Sequence, residues 1–419
     1  MNMLDSLARQ VRAHPDRIAV VDAHGTLTYA QLWTRAQAFA WHLREQRVLG
    51  GQTIGVAPMA ERRYLLCVLA IAMLGATSAP VLGWPEAMWV EMAKRHRMHA
   101  WIGDDETPLN AQYPSDSRRI AMSVLLRPLP DDAEMPVLVR GLGEQLWRVT
   151  LSSGTTDAPR SVAWTHAAAA MLQRFMLDVH PAGPGERLML YADPSDAYAF
   201  GHLLMYLSGG AAVILPPSMK PERFVQMAGE QRPTRLLTTT VNAFTLVEHL
   251  KGGTADKGAF ASVLSVLAGD SLVPPALRRD LEQHVCPNVV VAYGCTEVGT
   301  LARADSESLL GHPKSAGRVM PWLQAQTVDA DGKVLAAGEA GWLRFRSPAM
   351  AQGYMGGEDT GSACGFRGGW FYPGDHGAVD ARRNLMLADH AGSTIPSAGE
   401  LAERFKAPVL KTGDAERRP

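Results

Sequence analysis

Apolar positions along this chain switch between two spacings, and the switches divide it into short strands and helices. After the polar turn His14-Pro15-Asp16-Arg17, the run Ile18-Ala19-Val20-Val21 predicts a strand. Thr28-Tyr29-Ala30-Gln31 has the spacing of a capping box, and Leu32, Ala36, Ala40 and Leu43 then share one helical face. From about Arg62 to Leu74 the chain is apolar nearly all round and stops at Gly75, which predicts a buried helix, with Ala79-Pro80-Val81 leading out. Thr165-His166 and the Ala-rich run Ala167 to Met176 predict a helix that follows closely on a polar loop. Leu188 to Tyr191, Ala212 to Leu215, Arg235 to Thr240, Val263 to Leu267 and Val289 to Ala292 predict strands, separated by helical stretches such as Pro275 to His284. This alternation predicts an α/β fold with layered, mostly parallel sheets, in which ligands sit beyond the carboxyl ends of strands. Residues 103–145, richer in Asp, Pro and Arg, predict surface loops. His96 and His99 lie among Lys94, Arg95 and Arg97 with no further ligand nearby, so they predict a solvated basic helix face and not a metal site.

Composition narrows the class. The chain has 419 residues, 47% hydrophobic and 20% charged, enough for one large core or two smaller ones. A formal net charge of −1 offers no electrostatic attraction to nucleic acid or an acidic membrane. The four cysteines, Cys67, Cys286, Cys295 and Cys364, are scattered, with no Cys-x-x-Cys pair to hold zinc or run thiol exchange, and a reducing cytoplasm is expected. The start lacks the cationic and apolar blocks of a secretory signal, and the apolar run Tyr64 to Leu74 is shorter than the ~20 residues that span a bilayer.

Three polar segments carry candidate chemistry. Thr150-Leu151-Ser152-Ser153-Gly154-Thr155-Thr156-Asp157-Ala158-Pro159-Arg160 places hydroxyl donors around a glycine and ends on a cation. Such a backbone can wrap anionic oxygens, and the guanidinium can fork onto phosphate. It is not a Walker-type loop, since no Gly-Lys-Ser/Thr follows. Tyr293-Gly294-Cys295-Thr296-Glu297 follows a predicted strand; it offers a ring to stack on a base, a hydroxyl for a phosphate oxygen, and a carboxylate for a hard cation. A strand entering a tight turn also accounts for it. Gly369-Trp370-Phe371-Tyr372-Pro373-Gly374-Asp375 ends on an acceptor-only carboxylate able to take two hydrogen bonds. A competing motif, Gly269-Asp270-Ser271-Leu272, spells the nucleophile signature of Gly-Asp-Ser-Leu esterases. Such a hydrolase needs an Asp-oriented His base, and here Asp280 and His284 stand four apart on a predicted helix.

Taken in order, these segments resemble the adenylate-forming superfamily: acyl-CoA synthetases, aryl-acid ligases and peptide-synthetase adenylation domains. The opening (Pro15-Asp16, Thr28-Tyr29, the helix ending at Gly75-Ala76 before Pro80), Gly311, Gly317-Arg318, Gly338 to Gly341 and Gly353-Tyr354 recur in that family's order. The resemblance implies a large N-terminal adenylating-type domain over residues 1–388, with a β region near 315–390, and a hinge-like remnant and tail over 389–419. It implies that Ser152, Ser153, Gly154, Thr155, Thr156 and Arg160 hold the phosphates of ATP, Thr296 the α-phosphate, and Glu297 a Mg²⁺ ion. Tyr293 with Gly294 would take the adenine and Asp375 the ribose, while Gly269, Asp270 and Ser271 would line the adenine and acyl pockets, the latter with Tyr198, His202, Thr239 and Phe244. An aryl or fatty acid would become an acyl-AMP and pass to CoA or to the phosphopantetheine thiol of an acyl carrier protein. Only Asp196 and Asp270 could partner an ammonium group.

The chain also departs from the family's pattern. Asp157 and Ser161 replace glycines, Arg160 replaces Lys, Ala197 stands where a His is usual with Tyr198 or His202 as substitutes, and Pro373 replaces Thr. Asp157 beside phosphates costs about 1 kcal/mol or more unless Arg160 or Mg²⁺ offsets it. At the hinge His390 sits in an Arg position, Ser393 in an Asp position and Pro396 in a Lys position, and the sequence reaches Pro419 without room for a lid of about 50 residues. The lid normally delivers a Lys to the transition state, so a lid supplied in trans by a partner is one expectation. A nucleotide- or acyl-AMP-binding remnant without turnover is the alternative.

Overall fold

Leu188 and Leu190 pack into one core and Met189 and Tyr191 into another, so a single strand covered on both faces sets the layering. The fold is seen in a computed structural model that describes residues 2–388 apart from 60–61, 82–85, 105–117, 153–159, 254–257, 312–314 and 356–363.

Among these residues the larger sheet has fifteen strands. Its parallel half runs, in spatial order, Ile18–Asp22, Ala212–Ile214, Arg187–Tyr191, Arg235–Thr239, Ser265–Gly269 and Val289–Cys295. Both faces of this half are buried, which is why its strands read as continuous apolar runs. Helices Pro221–Gln231, Thr240–Lys251 and Pro275–His284 cover the outer face through Phe224, Leu246 and Leu277. Gly299–Ala304 then turns back antiparallel, and the β region follows with Ser315–Val319, Asn384–Leu387, His376–Val379, Gly341–Arg346 and Trp370–Tyr372.

A second sheet of seven strands holds Thr53–Val56, Thr77–Pro80, Met98–Gly103, Arg118–Ala121, Leu146–Leu151, Ser161–Thr165 and Gly353–Tyr354. Helices Tyr29–Glu45, Arg62–Met73 and Ala197–Gly209 belong to the core that both sheets share. The expected capping box is present, with the Thr28 side chain taking the Gln31 amide and the Gln31 side chain taking the Thr28 amide. Every residue from Tyr64 to Met73 is buried, and Gly75 leaves that helix at φ +70°.

The expected α/β fold with an added β region is present, its sheets mixed once that region joins. Two other expectations are corrected. The helix His166–Val179 does not follow the polar loop directly: the strand Ser161–Thr165 intervenes, antiparallel to Leu146–Leu151, and carries the helix start away from it. His96 is not on a solvated face. It lies beyond the helix Glu86–Arg95, is 1% exposed, and its Nε2 meets Ser161 Oγ at 2.6 Å, while His99 sits exposed on the next strand. The Lys/Arg-rich flanks in the sequence masked one inward-facing ring.

Candidate active site

The carboxyl ends of the parallel strands bring the polar segments to one edge of the sheet. Tyr191, Thr239, Gly269 and Cys295 end neighbouring strands, and the residues that follow each of them supply the candidate chemistry. The Tyr293 motif differs in detail from its expectation. Tyr293-Gly294-Cys295 stays within the strand, bulged against Gly299–Ala304, and only Thr296 and Glu297 enter the turn. A Cβ on Gly294 would lie 2.7 Å from the Gly299 carbonyl oxygen, so glycine is required there by close backbone approach.

Tyr293 donates its hydroxyl to the Asp375 carboxylate, joining the parallel half of the sheet to the β region. Burial first, and then the Asp375 carboxylate, push the Tyr293 phenol well above its ordinary range, so it remains a donor. Asp375 is fixed through its backbone, its carbonyl taking the Leu343 amide at 3.0 Å. Glu297 is 3% exposed and accepts the Tyr354 hydroxyl at 2.9 Å. Burial raises its carboxyl above the usual carboxylate range, and the Tyr354 hydrogen bond opposes that shift. The backbone of Glu297 is tied down by the Ala351 amide, 2.9 Å from its carbonyl oxygen.

The hairpin that carries the polar loop is anchored beside this pair. The Ser152 amide donates to the Arg160 carbonyl at 2.9 Å, and the Arg160 amide returns to Ser152 Oγ at 3.1 Å. The Arg160 guanidinium lies 5.3 Å from the Tyr354 ring centre and donates to the Cys364 carbonyl at 2.8 Å. Thr296 is held from both sides: Trp164 Nε1 donates to its carbonyl at 3.1 Å, and its hydroxyl donates to the Leu151 carbonyl at 3.4 Å. The structure thus brings Ser152, Arg160, Tyr293, Gly294, Thr296, Glu297 and Asp375 together. Ser153, Gly154, Thr155, Thr156 and His390 lie outside the described residues, as does Asp157.

Farther along the same edge, Gly269 abuts Tyr198, where an added Cβ would stand 3.0 Å from the phenol oxygen. His202 Nδ1 meets the Tyr198 carbonyl at 2.8 Å, and the two rings are 4.8 Å apart, edge to face. Asp196 caps this helix through the Tyr198 amide at 2.7 Å. Asp270 has φ +75° and is exposed at its surface, yet desolvation of its carboxyl first, and then Asp196, push that group up to about 7. Ser271 offers its carbonyl to Thr240 Oγ1 at 3.2 Å. Thr239 is occupied as a helix cap, taking the Asn242 amide at 3.2 Å, and Phe244 packs with the outer core. The pair an esterase would need is not formed, because Asp280 pairs with Lys251 at 2.9 Å.

Sequence reasoning missed Tyr354, Trp164 and the Cys364 carbonyl. Gly353-Tyr354 was visible as a motif without a role, whereas nothing in the sequence singled out Trp164. Among the described residues no group of three or more His, Cys, Asp or Glu side chains is placed to hold a metal. None of their helices is long and apolar enough to cross a membrane.

The chain belongs to the AMP-binding enzyme family, which matches residues 7–355. It is 26% identical over 353 residues to the probable non-canonical nonribosomal peptide synthetase CymA of Salinispora arenicola (strain CNS-205), spanning 83% of this chain but 4% of that protein. It is 24% identical over 431 residues to the medium-chain fatty-acid–CoA ligase of Escherichia coli (strain K12), spanning 95% of this chain and 74% of that enzyme. In three dimensions it resembles o-succinylbenzoate CoA synthetase (MenE) of Bacillus subtilis, solved in complex with ATP and magnesium ion. That likeness has a TM-score of 0.82 at 18% identity, over 94% of this chain and 81% of that one.

Proposed function

We propose that this chain uses ATP to activate a carboxylic acid as its acyl-AMP and then passes the acyl group to a thiol, that of CoA or of a carrier protein's phosphopantetheine. A carboxylate oxygen attacks the α-phosphorus in line and pyrophosphate leaves; a thiolate then attacks the acyl carbon and AMP leaves. The convergence of Tyr293 with Asp375, and of Glu297 with Tyr354, beside the Ser152–Arg160 hairpin base carries this reading. Family membership and the relatives' names, a fatty-acid–CoA ligase and a peptide synthetase, support it.

The roles follow from the geometry. Asp375 can take both ribose hydroxyls as an acceptor, with Tyr293 against the adenine. Arg160, oriented by the Tyr354 ring and the Cys364 carbonyl, can turn donors onto the phosphates, and the hydroxyl of Thr296 can exchange the long contact with Leu151 for an α-phosphate oxygen. Glu297 fits Mg²⁺: it is a buried, acceptor-only carboxylate with a hydroxyl on one oxygen, and Mg²⁺ is commonly held by one or two carboxylates plus substrate phosphates. Bound there, the ion would neutralise phosphate charge. The acid would lie along Tyr198, His202 and Gly269, with Asp270 and Ser271 at the rim, so its class is aryl or aliphatic. We take residues 1–388 as the adenylating domain and the cytoplasm as its place, given four free cysteines.

Acid-dependent exchange of labelled pyrophosphate into ATP tests the reading. Exchange with one acid class supports it; ATP binding without exchange, even with lid-bearing partners added, overturns it in favour of a binding remnant.

A further inference from the structure

Arg148 is a cation buried in the core that the two sheets share. It stands on the strand Leu146–Leu151, two residues before the polar segment begins at Thr150, and is 2% exposed. A bulge between Leu146 and Arg148 brings both Trp147 and the Arg148 side chain against Phe200, where simple alternation would have sent one of them to the opposite face. The guanidinium carbon lies 4.1 Å from the Phe200 ring centre and 5.7 Å from that of Tyr64. Nη2 donates to the Tyr64 hydroxyl at 3.0 Å and to the Ser195 carbonyl at 3.1 Å. Nη1 is buried and has no hydrogen-bond partner. A methionine could fill this volume without placing a charge there, so packing alone does not account for arginine.

What the guanidinium holds is the turn that carries the candidate acyl pocket. Ser195 is fixed on its other side by Asp193, whose Oδ1 takes its amide at 2.8 Å and its hydroxyl at 2.7 Å. The next residue, Asp196, caps the helix through the Tyr198 amide, and Tyr198 then packs on Gly269. The same strand runs on to Leu151, which accepts the Thr296 hydroxyl. One buried side chain therefore connects the strand feeding the phosphate side to the turn feeding the acid side.

We infer that Arg148 is a positioning residue that fixes the 193–198 turn, and with it Tyr198, so that the bound acid is held in register with the nucleotide. The inference rests on the proposed acid activation. It implies that losing the guanidinium raises KM for the acid and leaves KM for ATP nearly unchanged.

The test uses the full chain carrying Arg148→Met or Arg148→Lys, with pyrophosphate exchange and amide hydrogen exchange measured side by side. Arg148→Met is expected to raise KM for the acid ~10-fold with KM for ATP within ~2-fold, and Arg148→Lys, which keeps one donor for Ser195, to recover part of that loss. Amide exchange should quicken over residues 193–200 and stay unchanged over Val289–Cys295. Unaltered exchange at 193–200 would overturn the inference, as would equal rises in both KM values with protection lost throughout the chain. If wild-type protein supports no pyrophosphate exchange with any acid, the functional reading falls, and amide exchange alone decides whether Arg148 holds the turn.

Discussion

Tyr354 and Glu297 come from different sheets, and the Tyr354 hydroxyl donates to Glu297 Oε1 across 2.9 Å. The contact seats the site at the junction of the two sheets and fixes the orientation of a buried carboxylate. Tyr354→Phe leaves that carboxylate without its hydroxyl donor and raises its carboxyl further, since that hydrogen bond opposes the burial shift. Hydrogen-bond partners of metal-binding groups typically matter by ~10–100-fold, so the Mg²⁺ concentration for half-maximal exchange should rise by about 10-fold. A Mg²⁺ titration of Tyr354→Phe that overlays wild type would show the contact to be incidental.

Gly294 has no room for a side chain, because a Cβ would meet the Gly299 carbonyl oxygen at 2.7 Å. Gly294→Ala must push the bulge open and displace the adjacent Tyr293. The expected destabilisation is ~1–3 kcal/mol, with ATP affinity falling alongside. Calorimetry of both quantities checks this, and a variant with wild-type stability and affinity would contradict it.

Burial holds the His96 and His166 imidazoles down, each at about 4. Between about 4 and the ordinary 6.5, the unfolded chain binds protons that the folded chain refuses, so stability falls as pH drops through that window. The loss is on the order of 3 kcal/mol per histidine at most. Urea unfolding at pH 7.5, 5.5 and 4.5 should therefore show a steeper loss for wild type than for His96→Gln. Identical slopes would mean that His96 is not held neutral.

The raised Asp270 carboxyl gives a functional pH dependence of its own. Below about 7 the group is neutral; above it a negative charge appears at the rim of the proposed acyl pocket. For an uncharged acyl chain, KM for the acid should rise as pH passes 7, and Asp270→Asn should flatten the profile. An acid bearing an ammonium group should show the opposite trend. A rise that persists unchanged in Asp270→Asn would place its source elsewhere.

Local chemistry made much of this legible in the sequence. The capping box at Thr28, the buried helix before Gly75, and the apolar strands ending at Tyr191 and Cys295 are short-range patterns with short-range causes. The order of motifs assigns Tyr293 and Asp375 to one nucleotide, but not their direct hydrogen bond, because 82 residues separate them. What the sequence hid depends on long-range placement. The inward turn of His96 was obscured by its basic neighbours, and the strand Ser161–Thr165 by its closeness to the polar loop. Trp164 and Arg148 look like ordinary strand residues until the sheets stack and bring Thr296 and Ser195 to them.

The most direct measurement is acid-dependent pyrophosphate exchange into ATP by wild type and by Asp375→Ala, with ATP binding followed by calorimetry. Removing the carboxylate that faces Tyr293 should weaken ATP binding and cut exchange by ~100-fold or more, with the fold intact. Exchange undiminished in Asp375→Ala would contradict the nucleotide site assigned to Tyr293 and Asp375.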